Sequence, residues 1–160
     1  GRDAGWRGAR VPRLEGVLDL VGSRAGLNIH LKEPGPEGLL VATVARLLRE
    51  RGLVGSAYIA GDEAVLEAAR ALCPGIARAC LAQQRKPDEQ VRVAGRYACA
   101  RVQFGRSATE AALEAALEGG LVRNLFYSDE LEDARAWVKR GIDVVLTNCA
   151  HRIGSVELRG

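Results

Sequence analysis

The side chains of this chain best placed for chemistry are Asn28, His30 and Lys32, in the stretch Leu27-Asn28-Ile29-His30-Leu31-Lys32-Glu33-Pro34-Gly35. Polar and apolar residues alternate there. As a strand, the stretch turns Asn28, His30 and Lys32 to one face and Leu27, Ile29 and Leu31 to the other. In a parallel barrel the polar set points inward and the apolar set packs on the surrounding helices. Pro34 and Gly35 break the strand, so His30 and Lys32 sit near its C-terminal end, where α/β folds place their chemistry. A plainer reading also fits: a core strand with one hydrogen-bonded histidine and a lysine at its rim.

Other candidates for chemistry are few. His151 is the only other histidine, and it follows the last apolar strand pattern. Cys73, Cys80, Cys99 and Cys149 are widely spread and none forms C-x-x-C, which excludes a structural zinc site of the usual spacing. They read as small buried thiols in a reducing compartment, cytoplasmic or organellar. There is no G-x-G-x-x-G opening a helix after a strand, no P-loop and no G-x-S-x-G elbow.

The elements that position these residues follow from periodicity. Leu14, Val17, Leu18 and Val21 mark a helix face closed by Gly22 and Gly26. After the strand at Leu27, Pro36 suits a first helical turn, and Leu40, Val44, Leu47 and Leu48 form an apolar stripe ended by Gly52. Further strands are predicted at Ser56 to Ala60, Ile76 to Ala82, Ala100 to Phe104, Leu121 to Tyr127 and Ile142 to Leu146. Asp62 is the expected N-cap of a helix through Val65, Leu66, Ala69 and Leu72, stopped by Pro74-Gly75. Residues 83–90 read as a loop into a short helix near Val91 to Tyr97. Ser107-Ala108-Thr109-Glu110 reads as a capping box before an alanine-rich helix that ends at Gly119-Gly120. Asp129 is the expected cap of a helix carrying Leu131, Ala134, Trp137 and Val138, ended by Gly141. Strand and helix alternate throughout, which is the pattern of a parallel sheet covered by helices.

With 160 residues, 48% of them hydrophobic, the chain can bury one real core. No apolar run approaches the roughly 20 residues of a membrane span, and Gly1 to Pro12 lack the apolar centre of a signal peptide. The net charge of +3 is interspersed, except at the N-terminus. There Arg2, Arg7, Arg10 and Arg13 face only Asp3 and Glu15, an arm able to dock on an anionic surface such as nucleic acid or to remain solvated. Methionine is absent even at position 1, which reads as a processed or trimmed chain. Residues 1–11 are therefore assigned as a basic arm and 12–160 as the folded domain.

From Pro12 on, nearly the whole chain resembles the glycerophosphodiester phosphodiesterase family, in motifs at both ends and in the order and spacing of the segments between them. Pro12-Arg13-Leu14-Glu15-Gly16-Val17-Leu18 followed by Leu27-Asn28-Ile29-His30-Leu31-Lys32 is similar to that family's P-T-L-x-E-x-L helix and N-I-E-x-K strand. The tail is similar as well. Gly120-Leu121-Val122-Arg123-Asn124-Leu125-Phe126-Tyr127-Ser128-Asp129 resembles G-L-x-V-x-x-W-T-V-N-D. Gly141-Ile142-Asp143-Val144-Val145-Leu146-Thr147-Asn148 resembles G-V-D-G-I-I-T-D.

The resemblance implies a (β/α)8 barrel that hydrolyses glycerophosphodiesters to an alcohol and glycerol 3-phosphate with magnesium or calcium. It implies that Lys32 is the phosphate-facing, catalytic lysine and that Phe126, at the tryptophan position, contacts substrate or serves as a core or rim aromatic. His30 stands at the metal-binding glutamate position. The family's opening strands, with their H-R-G and E-x-D motifs and second catalytic histidine, have no counterpart before Pro12. The expected architecture is therefore an α/β, incomplete TIM-type (β/α) barrel of about six parallel strand–helix units. No cofactor is expected in this chain. Its two sheet edges should be covered by a missing segment or by another chain. Two functions are carried forward: a phosphodiesterase-like domain inactive as this chain alone, or a non-catalytic structural or docking subunit of a larger assembly.

Overall fold

The structure is a computed structural model and describes Gly8, residues 10–22 and residues 24–153. Arg2, Asp3 and Arg7 of the expected basic arm, and residues 154–160 of the expected barrel domain, lie outside the described residues.

Six strands pair in parallel in simple sequence order: β1 (Leu27–His30), β2 (Ala57–Gly61), β3 (Ala77–Cys80), β4 (Arg101–Phe104), β5 (Val122–Leu125) and β6 (Val144–Val145). Helix α1 (Leu14–Val21) precedes β1. Helices α2 (Leu39–Glu50), α3 (Glu63–Leu72), α4 (Pro87–Arg96), α5 (Glu110–Glu118) and α6 (Leu131–Lys139) each connect one strand to the next, and α7 (Ala150–Ile153) follows β6. One helix per crossover, with no reversal of strand order, is the winding of a β/α barrel. The sheet is strongly curled: Asn124 Nδ2 on β5 lies 3.3 Å from the Tyr58 hydroxyl on β2. A flat sheet would hold side chains three strands apart at roughly 14 Å. The fold is thus the α/β, incomplete TIM-type barrel expected from the sequence.

The outer face of the sheet buries the apolar half of each strand. Leu31 and Ile59 join Val41, Val44 and Leu48 of α2 and Val65 of α3 in one cluster. Val102, Phe104 and Leu125 join Val93 of α4, Leu113 of α5 and Trp137 of α6 in the other. Cys73, Cys80 and Cys99 are buried and reduced, and Cys149 is half-buried. Burial pushes the Cys80 thiol up to about 11 and the Cys99 thiol up to about 12, because a thiolate loses its hydration there.

Several local expectations need correction. Helix α4 begins at Pro87, well before Val91, because proline fits the first helical position where no N–H partner is needed. Thr109 rather than Ser107 caps α5: its side chain accepts from Ala112 N, while Ser107 Oγ donates to Gln84 O. Asp129 does not cap α6; Glu130 holds the N-cap position without a side-chain bond. Pro36 heads a single 3-10 turn, Pro36–Gly38, and α2 starts after it. Asp62 does cap α3, accepting from Val65 N at 3.2 Å. No helix among the described residues is long and apolar enough to cross a membrane.

Two buried polar side chains hold the framework where main-chain pairing runs out. Arg78, 7% exposed, reaches off β3 to donate to Tyr97 O, Ala98 O, Pro74 O and Ile76 O. It satisfies carbonyls at the C-terminal ends of two helix-to-strand connections. The β3–β4 ladder has only the Ala79–Arg101 and Cys80–Val102 pairs. Beyond it, Gln90 Nε2 donates to both Cys80 O (3.3 Å) and Gln103 O (3.0 Å), bridging the strands with a side-chain amide.

Candidate functional site

The inner, concave face of the sheet carries the residues singled out at β1. Asn28 and His30 are exposed on it, Lys32 is exposed just past the strand, and Leu27, Ile29 and Leu31 pack outward, as alternation requires. Gly35 lets the chain turn sharply after Lys32. It has φ +75°, and a Cβ there would meet Leu40 Cβ and N at 2.9 Å. Pro34 O then accepts from Leu40 N and Val41 N, which seats α2.

Register shows what shares this face. His30 pairs with Ala60, Ala60 with Ala79, Ala79 with Arg101 and Arg101 with Val122. Two fully buried alanines, Ala60 and Ala79, therefore separate His30 from Arg101 in the register. The Arg101 guanidinium lies 4.7 Å from the centroid of the Tyr58 ring, a cation–π contact at the barrel floor. Asn124 is fully buried behind Tyr58, and its Oδ1 has no hydrogen-bond partner among the described residues.

At the C-terminal rim, Phe126 and Tyr127 form an exposed edge-on pair with centroids 5.2 Å apart. They separate two cavities. One, of about 610 Å³, is lined by Gln84, Arg85, Arg106 and Glu130 besides the two rings. The other, of about 590 Å³, runs from Asn28 on β1 past the rings to Leu146, Thr147 and Asn148 after β6. Phe126 thus borders both cavities, and Asn28 connects β1 to the second. The structure does not bring His151 to this face; it lies in α7 beyond the rim.

Sequence reasoning missed the rim's main fastener. Asp129 accepts from Asn148 N (2.7 Å), Asn148 Nδ2 (3.0 Å) and Thr147 Oγ1 (3.0 Å), tying the loop after β5 to the end of β6. The Asn148 side chain first, then the Asn148 N–H, holds the Asp129 carboxyl below its ordinary value of 3.8. A carboxyl depressed in the folded state contributes stability that is present above its unfolded value and lost as pH falls through the folded one. In a carbon-detected NMR titration, the Asp129 midpoint is expected below the ordinary value, and Asn148→Ala is expected to raise it. An ordinary midpoint in the unaltered chain would remove the fastener.

The donor set does not fit a calcium or magnesium site. Such ions take six or more oxygens. Among the described residues no three His, Cys, Asp or Glu side chains converge. His30 offers nitrogen, and both Asp129 oxygens accept hydrogen bonds from the chain itself.

No family model and no curated protein matches the sequence. Solved structures do. A Silicibacter pomeroyi protein assigned as a glycerophosphoryl diester phosphodiesterase shares 21% identity over 90% of this chain and 55% of its own, with a TM-score of 0.79. A glycerophosphodiester phosphodiesterase from Agrobacterium tumefaciens shares 20% over 91% of this chain and 61% of its own, at 0.70. An Oleispira antarctica phosphodiesterase, solved with its product sn-glycerol-3-phosphate, shares 21% over 90% and 60%, at 0.78. The family to which the sequence motifs point is thus the one whose structures share this fold. At such identities the likeness establishes the fold, and the chain spans little more than half the length of these structures.

Proposed function

We propose that this chain is a member of the glycerophosphodiester phosphodiesterase family and forms the part of the barrel that faces the phosphoryl group. In this reading it carries neither the metal ligands nor the acid–base pair. The observation that carries this is β1: His30, where the family's glutamate would be, ends the strand exposed, and Lys32 stands exposed in the bend two residues beyond it. Phosphodiester cleavage needs positive charge at the phosphoryl oxygens, and it needs groups that take and deliver protons. Lys32 serves the first need, and Phe126 at the rim contacts the substrate's organic part. The second need falls to groups outside this set of residues. The whole-barrel reaction, release of an alcohol and glycerol 3-phosphate, is therefore a property of a completed barrel.

Completion requires cover for the free sides of β1 and β6. Edges of a parallel sheet carry unpaired N–H and C=O groups and normally lie buried. Further polypeptide, of the same protein or of another subunit, fills that place. A second reading is favoured by the His30 exchange: the barrel serves as a non-catalytic structural or docking subunit.

An assay of the 160-residue chain with glycerophosphocholine and magnesium or calcium tests the proposal. No release of glycerol 3-phosphate is expected. Metal-dependent release that disappears in Lys32→Ala would overturn the assignment of the missing chemistry to other residues.

A further inference from the structure

The end of the sheet opposite Lys32 and Phe126 holds a smaller opening. A cavity of about 250 Å³ lies at the N-terminal ends of β1 to β4, lined by Gly26, Gly55, Ser56, Tyr58, Ala77 and Arg101. Arg101 is the single charged residue of its lining, and no carboxylate borders it. Arg101 is half-buried, and its guanidinium lies 4.7 Å from the centroid of the Tyr58 ring. Among the described residues none of its side-chain N–H groups meets an acceptor and no acid pairs with it. The other two arginines of the strands differ: Arg78 donates to main-chain carbonyls and Arg123 to Asp143. The other polar groups of the wall are already engaged. Ser56 Oγ donates to Leu53 O at 3.2 Å, and the Tyr58 hydroxyl accepts from Asn124 Nδ2 at 3.3 Å. A guanidinium that gives up part of its water without an acceptor carries a desolvation penalty, which a ring offsets only in part.

We propose that this cavity is a binding site for one carboxylate group, held by the Arg101 fork with the Tyr58 ring against it. A planar fork matches a carboxylate with two parallel N–H···O bonds. One cation neutralises one negative charge, so a carboxylate is matched in full. A phosphate dianion would keep a second charge against a wall that offers no second cation. A water molecule fills about 30 Å³ of liquid, so the cavity admits a carboxylate with a short aliphatic tail. Gly55 leaves the mouth open: it is exposed, and a Cβ placed there would meet nothing within 4 Å. The site stands at the far end of the strands from the rim, and nothing in it depends on the function proposed there.

NMR of the full chain tests this. The Arg101 Nε–H resonance is followed while sodium acetate replaces sodium chloride at constant ionic strength, and a saturable shift is expected. N-acetylglutamate amide, in a parallel titration, stands for an acidic side chain of a covering polypeptide. The ligand that saturates at the lower concentration identifies the source of the group. Melting curves give a second readout, because a ligand held only by the folded chain raises the melting temperature. Arg101→Gln should raise the acetate concentration needed for that rise by about tenfold or more. The rise is read within each variant, so a lower starting stability leaves it measurable. Inorganic phosphate, kept alkaline enough to be the dianion, should act only at higher concentration than acetate. No saturable shift with either carboxylate, an equal acetate response in Arg101→Gln, or tighter binding of phosphate would each overturn the proposal.

Discussion

Phe104→Ala should cost about 3–5 kcal/mol of folding stability and lower the melting temperature by roughly 10 °C. Phe104 ends β4 on the outer face, is fully buried, and heads the largest buried side chains of the described residues. It belongs to the cluster that joins β4 and β5 to α4, α5 and α6. Truncation removes the transfer free energy of the ring and leaves a cavity that β5 cannot close, because it is held to β4 through the Phe104–Leu125 pair. Against a total stability of about 5–15 kcal/mol, that loss leaves a marginal protein. Phe104→Leu keeps most of the volume and should cost about a third as much. The comparison that gives the result meaning is Phe126→Ala, where the ring is 49% exposed and stability should hardly change. Urea melts of the three variants measure this; a Phe104→Ala loss below about 1 kcal/mol would mean that the helices do not pack on β4 as described.

Arg78→Met should cost about 3 kcal/mol, a large effect for one side chain on a strand. Methionine keeps a similar unbranched stem, so the change isolates the guanidinium. That group makes four hydrogen bonds to main-chain carbonyls, two in the connection from α3 to β3 and two in the connection from α4 to β4. Buried carbonyls left without donors carry the desolvation penalty with nothing to offset it. Lysine has no planar fork and can serve only some of the four, so Arg78→Lys should recover part of the loss. Equal stability of Arg78→Met and the unaltered chain would show that water reaches these carbonyls.

The face assignment of β1 was legible because alternation alone decides it. Strand order was legible because one helix per connection leaves few other windings. The parts that misled were the caps and the side chains with distant partners. Asp129 precedes an apolar helical stripe, as an N-cap would, yet Thr147 and Asn148 from the end of β6 offer its carboxylate three donors. No local pattern announces a partner 18 or 19 residues away. Ser107 and Glu110 have capping-box spacing, but Thr109 sits where the helix turns, and Ser107 is drawn to Gln84 O across the loop. Pro87 read as a loop marker although proline is as much at home on a first helical turn. Arg78 stands within the apolar pattern of β3, and nothing beside it in the sequence points to its role. Its purpose depends on where two other connections end, and that is a tertiary fact.

The account turns on a sheet that stops at β1 and β6 and presents its inner face to something else. Hydrogen exchange followed by mass spectrometry and NMR on residues 1–160 alone, with sedimentation to fix the oligomeric state, tests this most directly. The Leu31 N–H donates to Ala60 O, so by alternation the Asn28 and His30 N–H groups point to the open side of β1. In the monomer these amides should exchange orders of magnitude faster than the amides of β2, β3 and β4, which are paired on both sides. Association into a larger species should slow them. A stable monomer in which His30 and the β6 amides are protected as strongly as Ala79 would contradict the account, because the chain would then close its own sheet.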